Sequence, residues 1–245
     1  EKRYKSRRKR RKDIEMHVTI GLTGGIASGK STVLQRFAGL GHSSNSGTQR
    51  TRVSAKIVDA DKLGHACYAK GHPCLQEVVQ AFGNTIINQD TGELERKELG
   101  RIVFSEPSQL AKLNSIVWPH IRTEIQNIII EFQSKQDATT PSDDVEAALK
   151  VLVVEGAVLI EAGWHDMFDE VWVITAPIDI KRTRLMARNS LSREEADKRL
   201  SAQISDEDRE AHATVSIPNA GSREELVQVL NAEINALINR RLTRL

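Results

Sequence analysis

Residues Gly24 to Ser31 read G-G-I-A-S-G-K-S, a full G-x-x-x-x-G-K-S pattern set between an apolar run, His17 to Leu22, and a stretch with helical periodicity. A strand that feeds a helix through a glycine-rich turn opens a βα unit, and such units build parallel sheets covered by helices. The glycines let successive backbone N–H groups bend around anionic oxygens, while Lys30 supplies a point charge and the Ser31 hydroxyl suits Mg2+. After the turn, Val33, Leu34, Phe37 and Leu40 mark one helix face, with Gly41 as the expected stop. The N-terminus of that helix then points at phosphate. A glycine turn that only links strand to helix is the weaker reading, since both contexts are met. The segment Gly24, Gly25, Ile26, Ala27, Ser28, Gly29, Lys30, Ser31 and Thr32 is therefore expected to bind a nucleoside triphosphate.

The 245 residues suit one domain, or one core with insertions. A net charge of +2 does not mark the whole chain as a nucleic-acid binder. The basic excess is local, in Lys5 to Lys12, and residues 1–15 are expected to form a disordered basic arm, either passive or a targeting remnant, with contact to RNA or anionic lipid as the alternative. The chain opens on Glu1, and Met16 stands where shorter relatives are expected to start. Cys67 and Cys74 are too few for a disulfide framework and have no partners at metal-ligand spacing, which favours a reducing compartment, cytoplasmic or alternatively mitochondrial. No apolar run nears the roughly 20 residues that cross a bilayer. A soluble monomer is expected.

Short apolar runs alternate with amphipathic stretches, which predicts a parallel sheet with helices on both faces. Strands are predicted at 17–22, 55–58, 150–154, 171–175 and 214–217. Capping-box patterns at Ser192 and Ser222 each open a helix, the second with an apolar stripe at Leu226, Leu230, Ile234, Leu237 and Ile238. Residues 42–52 and 133–147 look like surface insertions. Asp61 to Phe132 shows only helical patterns.

These features sit together with an ordered set of motifs: the glycine loop, Val58-Asp59-Ala60-Asp61, Phe82-Gly83, Gly92-x-Leu94-x-Arg96-x-x-Leu99, Leu159-Ile160-Glu161, Arg184-x-x-x-Arg188, Gln203 and Asn219-x-Gly221. In this order and spacing the chain, from Val18 to about Leu237, resembles the dephospho-coenzyme A kinases. Asp61 to His65, Ile116 to Pro119 and Glu161 to Trp164 resemble the kinase domain of the bifunctional eukaryotic enzyme more than the bacterial form, which points to a eukaryotic source.

The resemblance implies an α/β P-loop kinase over 16–245: a three-layer α/β/α fold with a five-stranded parallel sheet, a helical acceptor subdomain at 61–135 and a lid at about 180–205. It implies transfer of the γ-phosphoryl of ATP, with Mg2+, to the ribose 3'-hydroxyl of dephospho-CoA. Lys30 and the loop backbone would cradle phosphates, Ser31 would ligate Mg2+ and Asp61 would accept the hydroxyl proton, against an alternative as a helix N-cap. Asp59 either holds water at the metal or fixes the turn. Arg184 and Arg188 share a helix face and would close over the phosphates, against a solvated basic helix with Lys181, Arg182 and Arg193. Arg199 and Gln203 would belong to the lid. On the acceptor side stand His65, Arg96, Trp118 and Glu161; His65 and Trp118 depart from the bacterial pattern, and Trp118 either stacks on adenine or fills the core. Glu161 would order the site or bind water at the metal, with Glu155 as a Walker-B-like alternative. Asn219 and Gly221 fall where the family places its adenine-side loop, or form a plain turn.

Two other readings share the loop: another P-loop small-molecule or nucleoside kinase, and a nucleic-acid-binding NTPase that uses the basic arm. The first would phosphorylate a different acceptor. The second would show RNA-stimulated hydrolysis and steep salt dependence. No specific nucleic acid is expected, because the arm lies outside the kinase pattern.

Overall fold

A computed structural model describes residues 14–40, 51–134 and 147–243. Most of the basic arm and of both expected insertions lies outside them. Five parallel strands, β1 (Ile14–Gly24), β2 (Thr51–Asp59), β3 (Ala147–Glu155), β4 (Glu170–Thr175) and β5 (Val215–Pro218), form one sheet in the order β2-β3-β1-β4-β5. All five expected strands are present, and the first three run longer than their apolar cores. Backbone pairing carries β1 back to Ile14 opposite Ala147, so the arm's expected boundary at residue 15 falls two residues too late.

Because β1 is central and the chain leaves it first toward β2 and later toward β4, the strand order reverses at its carboxyl end. Open parallel sheets form their ligand crevice at such a point. The glycine loop sits there, leading into α1 (Lys30–Ala38). That helix stops at Gly39, two residues before the expected Gly41.

Side-chain alternation divides the core between the two faces of the sheet. Val18, Ile20, Leu22, Val151, Val153, Trp172 and Ile174 pack with Val33 and Phe37 of α1 and with the stripe Leu226, Leu230, Ile234 and Leu237 of α9 (Arg223–Leu242). Leu152, Val154, Val171 and Val173 face the other way, toward α2 (Ala60–Ala66), α3 (Pro73–Phe82), α4 (Arg96–Val103) and α5 (Pro107–Ser134). The helical block is interrupted by one antiparallel bridge, Ile87 to Leu94, a correction to its all-helical reading. α5 runs 28 residues straight through Pro119. Its buried stripe Leu113, Val117, Ile121, Ile125, Ile129 holds the helix against the core despite the lost amide donor. α6 (Ile178–Asn189) and α7 (Arg193–Ser201) form a hairpin with its own small core of Leu185, Ala196 and Leu200, against which Ile26 and Ala27 pack; α8 (Asp206–Glu210) follows. The capping boxes at Ser192 and Ser222 are both formed.

Candidate active site

A cavity of about 680 Å³ opens at the carboxyl end of β1, lined by Ile26 to Thr32 together with Asp61, Glu155, Arg184, Arg188, Gln203, Asn219 and Arg223. The loop reaches this shape through Ala27 and Gly29, both at positive φ (60° and 111°). A Cβ at Gly29 would collide with the Asn219 amide, so both conformation and space demand glycine there. Ser28 N–H donates to Gly25 O at 3.1 Å and Ile26 N–H to Gln203 Oε1 at 2.7 Å. Among the described residues nothing accepts from the N–H groups of Ala27, Gly29, Lys30 or Ser31. Those unused donors, at the start of a helix, form an anion cradle.

Lys30 folds back along the loop, donating to Gly24 O at 2.8 Å, and lies 3.9 Å from Glu155 Oε1. Burial lowers its pKa, partly offset by Glu155 and Asp61 and reinforced by Arg209 and Arg188. Burial also raises the Glu155 carboxyl, against the pull of Lys30, with Asp61 and Asp59 adding to the rise. These mutual effects place both acids and Arg188 within electrostatic reach of the loop lysine.

Asp59 ends β2 and accepts from the N–H groups of Asp61 (3.0 Å) and Lys62 (3.2 Å). It is the N-cap of α2, so the capping role weighed for Asp61 belongs to its neighbour. Asp61, in the first turn, keeps its carboxylate exposed at the cavity. Glu155 ends β3, in register with Leu22 and Asp59. Glu161 lies six residues beyond the strand, outside the cavity lining, with Oε1 3.8 Å from Arg209 Nη2. Of the two acids, Glu155 is the one at the strand end and in the cavity lining.

Arg184 and Arg188 both line the cavity from α6. Arg184 Nη2 donates to Asn219 Oδ1 (3.3 Å) and Gly221 O (3.2 Å), while Nη1 is buried without an acceptor among the described residues. Arg188 is exposed and donates to Asn189 Oδ1 at 2.9 Å. Asn219 joins loop and helix: its Nδ2 donates to Ser28 O at 2.7 Å. Asn219 and Gly221 therefore form more than a plain turn. Lys181, by contrast, is not part of a solvated face. It is buried and pairs with Asp206 at 2.8 Å, and Arg209 Nη1 reaches the other Asp206 oxygen at 3.3 Å. This trio underlies Gly25, where a Cβ would meet all three at 3.4 to 3.6 Å. Sequence reasoning missed Asp206, Arg209 and Arg223, since isolated charges carry no spacing signal.

The acceptor-side candidates lie apart. His65 is exposed one turn after Asp61 on α2, Arg96 is exposed at the start of α4, and Trp118 is partly buried against the helical core. None of them lines the cavity. Arg199 is exposed on α7. The fold gives the cysteines a neighbour that sequence spacing did not show: ligand atoms of Cys67, His72 and Cys74 lie within 4.8 Å of one another. No helix among the described residues is long and apolar enough to cross a membrane.

The dephospho-CoA kinase family model matches residues 18–225. Curated dephospho-CoA kinases of Carboxydothermus hydrogenoformans and Enterococcus faecalis are each 37% identical to this chain, over 86% of it and 92% of the relative, and 87% and 94%, respectively. Among solved structures, TT1252 from Thermus thermophilus superposes with a TM-score of 0.63 at 29% identity, and the dephospho-CoA kinase from Campylobacter jejuni with 0.61 at 25%, each covering 91% of this chain and 98% of its own. With a phosphate cradle, a carboxylate and two arginines in one crevice and a match running nearly end to end, this chain belongs to the dephospho-CoA kinase family.

Proposed function

We propose that the chain transfers the γ-phosphoryl of ATP to the ribose 3'-hydroxyl of dephospho-CoA, giving CoA and ADP. Within the family it belongs to, the observation that supports this most is the convergence on one cavity of the N–H cradle, Lys30, the unencumbered Asp61 carboxylate and the arginines of α6. Phosphoryl transfer needs little covalent participation by the protein. It needs alignment, charge neutralisation and exclusion of water.

Each need has residues to meet it. The free N–H groups and Lys30 grip the β and γ phosphates. Asp61, released from capping by Asp59, accepts the proton of the attacking hydroxyl. Arg184 and Arg188 balance charge that builds on the transferring group, and Nη1 of Arg184, buried and without an acceptor among the described residues, is a donor suited to an anion. Mg2+ fits the oxygen donors here: Ser31 Oγ would hold it directly and Glu155 through water, since Asp59 gives one oxygen to its cap and the other lies 3.5 Å from Lys62 Nζ, while Glu161 faces Arg209. When bound, the ion neutralises phosphate charge.

The hairpin of α6 and α7, roughly 180–205, acts as a lid tied to the loop by the Gln203 bond to Ile26. The helical layer at 61–135 holds the acceptor, which approaches along the exposed face of α2 that carries Asp61 and, one turn on, His65.

The test is an ATP-dependent assay on the purified chain with dephospho-CoA, shikimate, gluconate and nucleosides as competing acceptors. Only dephospho-CoA should turn over, and the product should carry its new phosphate on the 3'-oxygen. Faster turnover of another acceptor, or none of dephospho-CoA, refutes the assignment.

A further inference from the structure

Cys67 is the C-cap of α2, His72 the N-cap of α3, and Cys74 lies in the first turn of α3. Between them the chain reverses through Gly71, at φ 87°. The reversal brings two sulfurs and one imidazole nitrogen within 4.8 Å of one another. Both cysteines are free and buried, with exposures of 1% and 0%.

We propose that Cys67, His72 and Cys74 form a zinc site, separate from the phosphate-binding cavity and unconnected with its Mg2+. Two sulfurs and an imidazole are a borderline-soft donor set that suits zinc and excludes the oxygen-seeking Mg2+ and Ca2+. Three protein ligands leave a fourth tetrahedral position for water. Zinc takes cysteine as thiolate, so binding releases two thiol protons to solvent as two Zn–S bonds form. Behind His72, the His120 ring lies edge-on at 5.7 Å and is itself 3.0 Å from Glu77 Oε1. Zinc here would pin the far end of the short helix whose first turn holds Asp61, coupling occupancy to the rigidity of the acceptor face.

The experiment is a Co2+ titration of the full chain, reduced and stripped of metal, in excess Mg2+, followed through the thiolate-to-cobalt charge-transfer band and then displaced with Zn2+. Only thiolate ligation gives that band, so binding at the phosphate cavity does not register. The wild type should take up one equivalent and release it to one equivalent of Zn2+. Cys67→Ala with Cys74→Ala should abolish the band. His72 Nδ1 accepts from the Cys74 N–H at 3.1 Å; His72→Asn keeps a side-chain acceptor there, and so the helix cap, but should weaken binding at least roughly tenfold, the loss that even an outer-shell partner causes. Its metal-free melting midpoint should match wild type, which separates ligand loss from misfolding. Absence of the band in saturating Co2+, an unchanged band in the double cysteine variant, or an affinity indifferent to His72 overturns the proposal.

Discussion

Asn219→Ala probes how the phosphate loop is held. The Asn219 side chain, 6% exposed, gives the Ser28 carbonyl its donor at 2.7 Å and takes one from Arg184 at 3.3 Å. Removing it leaves a buried carbonyl unpaired, at about 1–3 kcal/mol, and forfeits a longer bond at the low end of about 0.5–1.5 kcal/mol. The expected loss is roughly 2–3 kcal/mol, or roughly 5–10 °C in melting midpoint for a domain of this size. Urea unfolding measures the first quantity and a thermal scan the second. Because the same amide fixes the turn between Ser28 and Gly29, the KM for ATP should rise as well. A double-mutant cycle with Arg184→Ala in the transfer assay should show coupling of about 0.5–1.5 kcal/mol, as for neighbours sharing a bond. Stability within about 0.5 kcal/mol of wild type, with KM for ATP unchanged and the two substitutions additive, would show that the loop keeps its shape without this residue.

Asp61→Asn should keep ATP affinity and lose turnover by about two or more orders of magnitude, as when a proton acceptor is removed; full activity refutes the assignment. Asp59→Ala should cost about 1 kcal/mol through the lost cap and lower turnover by loosening the first turn of α2, whereas Asp59→Asn, which can accept the same two bonds, should recover both. If the Asn variant folds like wild type but stays inactive, Asp59 acts at the metal instead. Glu155 has a folded pKa raised above its ordinary 4.5, so the folded chain holds this proton more tightly than the unfolded one. Its contribution is full below about pH 4.5 and disappears as pH rises through the folded value. Glu155→Gln, which mimics the protonated form, should gain stability relative to wild type across that interval in urea titrations at several pH values, and a pH-independent difference would count against the argument.

Local chemistry made much of this protein legible in sequence. Strand periodicity, the glycine spacing and the two capping boxes are nearest-neighbour effects, and they marked the five strands, the loop, α9 and the start of α7 without any tertiary contact. Spacing also put Arg184 and Arg188 on one helix face, while their place over the phosphates was what the family resemblance implied. Packing overrides local preference in places: α5 continues through Pro119 because its i, i+4 stripe is buried on both sides of the proline, and β1 reaches back to Ile14, past the expected strand start at 17, because β3 pairs with it.

Other features depend on segments far apart in the chain. Which aspartate caps α2 and which faces the crevice turns on the angle at which β2 hands over to the helix. That Glu155 rather than Glu161 enters the cavity depends on where β3 stops against its neighbours. The Lys181–Asp206–Arg209 trio beneath Gly25, and the meeting of Cys67 with His72 and Cys74 across the Gly71 reversal, have no periodic signature, since side chains that converge through a turn or between elements share no fixed spacing. Sequence by itself settled the phosphate loop and the parallel sheet, whose interactions are local or repetitive. The placement of the acids and cations was decided only when the sheet brought the ends of β1, β2 and β3 to one rim and set α6 beside it.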